Sequence, residues 1–91
     1  MPSTQVFYKG NVQGVGFRYS VKQIAKGFDV TGWVRNLPDG RVELQASGES
    51  AEVSAFLEAI VRSELRAHIK DQVAAPLVNP PATHGFTIRH D

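Results

Sequence analysis

Residues 12–18 read Val12-Gln13-Gly14-Val15-Gly16-Phe17-Arg18, and the period of the apolar pattern changes across them. Before this stretch, Val6, Tyr8, Gly10 and Val12 share one parity while Lys9 and Asn11 fall on the other. That period of two predicts a strand over 6–12 with one buried face, although Phe7 stands on the wet side. Beyond it, Phe17, Val21, Ile24 and Ala25 recur at helical spacing, with Arg18, Lys22 and Lys26 on the polar side. Gly27 is placed to end this helix as its C′ residue. A strand therefore passes through a glycine turn into a short helix. Consecutive amides in such a turn, backed by a helix N-terminus, cradle an anion with backbone alone. Arg18 adds a permanent charge and a planar fork of donors suited to phosphate oxygens.

An isolated Gly-x-Gly more often only satisfies the geometry of a tight connection. Gly14 and Gly16 also lack the third glycine of a dinucleotide fingerprint, Tyr19 standing in its place. No Gly-Lys-Ser/Thr follows to make a nucleoside-triphosphate loop. What remains is a cradle sized for one phosphoryl group.

Downstream, Asp29 to Asn36 has a strand composition, with Gly32 permitting close packing. Leu37-Pro38-Asp39-Gly40 has turn chemistry, and Arg41 to Ser47 then alternates cleanly. Val42, Leu44 and Ala46 point inward, and Arg41, Glu43, Gln45 and Ser47 outward. These two runs predict an antiparallel hairpin. Asn36 at its tip either begins the turn or faces the cradle, where an amide that donates and accepts suits orienting a water.

Ser50 is the expected N-cap of a second helix, with Glu49 and Glu52 near its positive end. Val53, Phe56, Leu57, Ile60 and Val61 form its apolar stripe. Ala67 to Ala74 reads as a weaker strand, because Asp71 shares the parity of Ile69 and Val73. Pro76, Pro80 and Pro81 predict a loop after it, and Phe86 and Ile88 a short terminal strand. The order β-α-β-β-α-β predicts an α+β, ferredoxin-like sandwich: an antiparallel sheet with two helices on one face and a short fifth C-terminal strand.

At 91 residues the chain is expected to form one domain over 1–91. A formal charge of +1 argues against a nucleic-acid or membrane binder but leaves room for one local positive site. The lack of cysteine removes disulfides and thiolate chemistry. Met1-Pro2-Ser3-Thr4-Gln5 shows no signal-peptide pattern and no apolar run reaches membrane-spanning length, so a cytoplasmic location is expected. His68, His84 and His90 lack ligand spacing and read as solvent-exposed, so no metal is assigned. The carboxylates show no pairing for acid/base work, Ser20 has no base near it in sequence, and Trp33 and Phe28 read as core or cover.

Val12 to Arg18, together with Gly32-Trp33-Val34-Arg35-Asn36 and Asp39-Gly40-Arg41-Val42-Glu43, resembles the acylphosphatase family. The resemblance runs from Val6 to Val61 in order and spacing, and total length agrees. Gly16 resembles prokaryotic members more than vertebrate ones. The resemblance implies hydrolysis of acyl phosphates to a carboxylate and inorganic phosphate, with no metal and no cofactor. It places the phosphate-binding arginine at Arg18 and the water-orienting asparagine at Asn36. The backbone N–H groups of Val15, Gly16, Phe17 and Arg18 would complete the phosphate site. It implies an acyl phosphate as the small-molecule partner, inorganic phosphate as product, no nucleic-acid or membrane partner, and a monomer. The alternative is a non-catalytic module of the same kind, binding carbamoyl phosphate or another phosphorylated ligand. Such modules occur fused within larger maturation proteins, and the absence of a linker favours the enzyme. The chain departs from the family after the second helix. Ser63-Glu64-Leu65-Arg66-Ala67-His68-Ile69 stands where members usually carry a Gly-Pro turn.

Overall fold

The computed structural model describes residues 3–78 and 84–90. Its frame is the hairpin of β2 (Thr31–Asn36) and β3 (Val42–Ser47). The turn between them closes through Gly40 N–H to Leu37 O at 3.2 Å and Leu37 N–H to Arg41 O at 2.8 Å. Asn36 thereby falls opposite Val42, and Val34 opposite Leu44. Gly32 sits opposite Ala46 with φ +147°, and a Cβ there would lie 1.9 Å from Gln45 O. Only glycine lets the two backbones come this close.

Around the hairpin stand β1 (Ser3–Gly10), α1 (Phe17–Ala25), α2 (Ser50–Arg62), a 3₁₀ helix (Glu64–His68), β4 (Ile69–Pro76) and β5 (Phe86–Arg89). The strands lie in the order β4-β1-β3-β2-β5. Val6, Tyr8, Val34, Val42, Leu44 and Ala46 meet Phe17, Val21 and Ala25 of α1 and Val53, Phe56 and Ile60 of α2 in one buried cluster. Both helices thus cover the same sheet face, as the alternating periods predict. Gly27 N–H bonds Ile24 O at 3.0 Å just past α1, in the helix-ending position expected of it.

Several expectations need correction. The sheet is mixed rather than wholly antiparallel, because β5 pairs parallel to β2. β1 and β2 run one way and β3 and β4 the other; β5 reverses the direction of β4 and so runs with β2. β1 covers 3–10 rather than 6–12, its start held opposite Ser47 and its pairing with β4 shifting between Lys9 and Gly10. The N-cap of α2 is Glu49, not Ser50: Glu49 has extended backbone, and its carbonyl accepts the bond from Val53 N–H at 3.0 Å. β4 spans 69–76 rather than 67–74 and contains Pro76, opposite Thr4. It is an edge strand, where a missing N–H donor is tolerated. Pro80 and Pro81 lie outside the described residues.

Glu43 and Ser47 do point to the helix-free face, yet both are buried rather than solvated. Glu43 accepts from Gln5 Nε2 at 2.6 Å, Arg35 Nε at 2.9 Å and Gln45 Nε2 at 3.2 Å, and the Ser3 and Ser47 hydroxyls meet at 2.7 Å. Trp33 is also on this face, roofed by the guanidinium groups of Arg35 and Arg89 at 5.1 and 4.6 Å from its ring. Ser63 supplies the missing stop after α2. Its hydroxyl donates to Ile60 O at 2.6 Å and accepts from Leu65 N–H at 3.1 Å, ending one helix and opening the next turn.

Candidate active site

The helix start is set by its first two residues. Gly16, the N-cap of α1, has φ 77° and ψ 18°, and no side chain caps the helix. A Cβ at Gly16 would meet nothing within 4 Å, so the left-handed backbone, not crowding, asks for glycine there. Phe17 then packs its ring 5.3 Å from that of Tyr8, fixing the helix on β1. The first helical bond is Ser20 N–H to Gly16 O at 3.0 Å. The amides of Phe17, Arg18 and Tyr19 precede it and belong to the unpaired N-terminal set that favours an anion.

These residues border a cavity of about 160 Å³ whose lining includes Gly14, Gly16, Phe17, Arg18, Asn36 and His90. Arg18 and Asn36, read from separate motifs, are therefore brought together at one small site. Val15 is not in the lining; its side chain packs against the core. Among the described residues no carboxylate lines this cavity and Arg18 has no ion-pair partner. Its Nη1 instead contacts Arg89 O at 3.5 Å and His90 Nδ1 at 3.3 Å.

Asn36 ends β2 with its side chain on the helix-covered face. Its Oδ1 is buried and accepts no hydrogen bond among the described residues. Such an orphan oxygen costs about 1–3 kcal/mol unless something donates to it. A cation, a set of free amides and an unpaired buried acceptor thus share a space of phosphoryl size. The wider hollow at the hairpin tip, about 480 Å³, carries Asp39 among Lys9, Gly10, Gly40 and Arg41. Hydrogen bonds from Arg41's backbone and side chain hold the Asp39 carboxyl below its usual range, so that hollow presents a carboxylate to any anion.

Gln13 and His90 were not singled out by sequence reasoning. Gln13 Nε2 donates to Leu37 O at 2.8 Å and to Arg41 O at 2.9 Å, tying the glycine turn to both ends of the hairpin loop. A glutamine beginning a glycine turn carries no local sign of such reach. His90 is exposed, as read, but it lines the cavity because β5 ends beside α1.

A family model, Acylphosphatase, matches residues 4–88. The acylphosphatase of Marinobacter nauticus is 49% identical over 78 residues, covering 86% of this chain and 82% of that protein. The acylphosphatase of Methanospirillum hungatei is 48% identical over 60 residues, so the match spans 66% of each chain. The crystal structure of acylphosphatase from Bacillus subtilis superposes with a TM-score of 0.86 at 34% identity, covering 98% of this chain and 99% of that one. With fold and sequence in agreement, the chain belongs to the acylphosphatase family, hydrolases that act on acyl phosphates.

Proposed function

We propose that Arg18 and the amides at the start of α1 hold the phosphoryl group of an acyl phosphate while Asn36 aims a water at its phosphorus. The observation that carries this reading is the buried, unpartnered Oδ1 of Asn36 in the same cavity as Arg18. That oxygen can accept a hydrogen bond from the water, leaving an oxygen lone pair for attack. The new P–O bond forms as the bond to the acyl oxygen breaks, and the electron pair leaves on the carboxylate. The water's proton passes to a phosphoryl oxygen, so no protein base is required. A carboxylate is a good leaving group, so catalysis reduces to positioning and to stabilising charge on the equatorial oxygens. The products are a carboxylate and inorganic phosphate.

This chemistry asks for no metal and no cofactor. We read the chain as a monomer. The helix-free sheet face is roofed with Arg35, Arg89 and the Glu43 network, and the large exposed apolar side chains among the described residues are Tyr19, Val73 and Val78. No helix among the described residues is long and apolar enough to cross a membrane. We take the site of action to be the cytoplasm.

The test is phosphate release from benzoyl phosphate in the presence of a chelator. Arg18→Ala is expected to raise KM and lower kcat; Asn36→Ala is expected to lower kcat by roughly 10²–10³ with little change in KM. Wild-type rates in both variants would sink the assignment. Phosphate-competitive binding without turnover in the wild type would point instead to a ligand-binding module.

A further inference from the structure

The C-terminal strand delivers a titratable side chain to the phosphate cavity. His90 follows β5 directly, and its Nδ1 lies 3.3 Å from Arg18 Nη1. A guanidinium has donors only, so this contact requires an unprotonated Nδ1 that accepts. With Arg89 O at 3.5 Å from the same nitrogen, the neutral ring helps hold the guanidinium in place. A protonated ring donates from both nitrogens. It can no longer accept from Arg18 and becomes a second cation at the cavity wall.

The surroundings decide what such a cation would pair with. The ionisable groups lining the cavity with His90 are Arg18 and Tyr19, both on α1. The β2 side contributes Asn36, which is neutral. Arg35 and Arg89, in register on β2 and β5, place their guanidinium groups over Trp33 on the opposite sheet face. Among the described residues no carboxylate lines the cavity, so the partner they leave for a protonated His90 is an anion inside it.

We infer that His90 positions Arg18 when neutral and binds the anion itself when protonated, so that this site holds a dianion more tightly as the pH falls. The inference rests on the reading that Arg18 holds the phosphoryl group. Its sign follows from reciprocity: an anion that favours the protonated ring is bound more tightly by that ring. The gain belongs to the protonated ring and is absent from the neutral one.

Sulfate is the probe, because it stays a dianion where phosphate itself titrates. Its inhibition constant against benzoyl phosphate is expected to fall about three- to tenfold between about pH 7.5 and about pH 5.5. His90→Asn keeps a side-chain acceptor but cannot take the proton, and its sulfate inhibition should be flat with pH. His90→Ala removes the acceptor as well and should raise KM at neutral pH more than it lowers kcat. His84→Asn, outside the cavity lining, should keep the wild-type slope. A flat wild-type profile, or a wild-type slope in His90→Asn, would overturn the role of His90. Sulfate that fails to compete at any pH, with hydrolysis intact, would overturn the reading of Arg18 and this inference together.

Discussion

At Gln13 a single primary amide joins parts of the chain 24 and 28 residues apart. Leu37 O and Arg41 O each keep one backbone donor besides Gln13, so removing the amide orphans neither carbonyl. Gln13→Ala should therefore cost only about 1–2 kcal/mol of stability. Its effect on rate should be larger, because the turn it holds follows Asn36 and sets where that side chain stands relative to the cradle. A misplacement of about 1 Å in a positioned group can cost roughly 10²-fold. We expect kcat to fall about 10- to 100-fold with KM near that of the wild type, read from steady-state kinetics beside a urea titration. A loss confined to stability would show that Gln13 only braces the loop. Arg18 and Asn36 were legible because each stands within a contiguous motif whose chemistry can be named. Gln13 stands in the same motif as Arg18, yet its bonds go to distant carbonyls, which no sequence period reports.

Among the elements, the hairpin was the most legible, since alternation and turn chemistry agree from Thr31 to Ser47. Alternation gives the face of a side chain but not its depth, and Glu43 shows the gap. Burial by itself would raise its carboxyl; the hydrogen bonds from Gln5, Arg35 and Gln45 outweigh that and hold it below its ordinary value. A depressed folded-state pKa adds stability that is present above the unfolded value, about 4.3, and is lost as the pH falls through the folded one. Glu43→Gln should cost about 1–3 kcal/mol at neutral pH, and that difference should shrink on acidification below about pH 4.3. Urea denaturation from neutral to acid pH measures both; a constant difference would mean that the carboxylate's charge contributes nothing. Pairing partners were equally hidden. Nothing local in Phe86–Arg89 says that it lies parallel to β2, nor that an edge position lets Pro76 stay within β4.

Across the whole molecule, core and site are joined through aromatic contacts that no single segment displays. Phe56 was legible as part of an apolar stripe and Phe86 as part of a terminal strand. Their rings meet edge-on at 5.3 Å, and Phe28 lies 6.0 Å from Phe56 on another side. Phe86 opens β5, whose far end supplies Arg89 O and His90 to Arg18. Phe56 is fully buried, and Phe56→Ala should cost about 3–5 kcal/mol. Against a typical stability of about 5–15 kcal/mol, that is a drop in Tm of roughly 15–30 °C. Phe86 is only partly buried, so its truncation removes less packing, but it loosens the strand that carries Arg89 and His90 to Arg18. The two variants should therefore separate stability from function. Below its lowered midpoint, Phe56→Ala should keep KM within about threefold of the wild type, since its cavity lies under α2. Phe86→Ala should lose less in Tm and more in KM. Calorimetry and steady-state kinetics on the same preparations decide the matter: if KM follows Tm in both variants, β5 has no positioning effect on Arg18 beyond its share of the core.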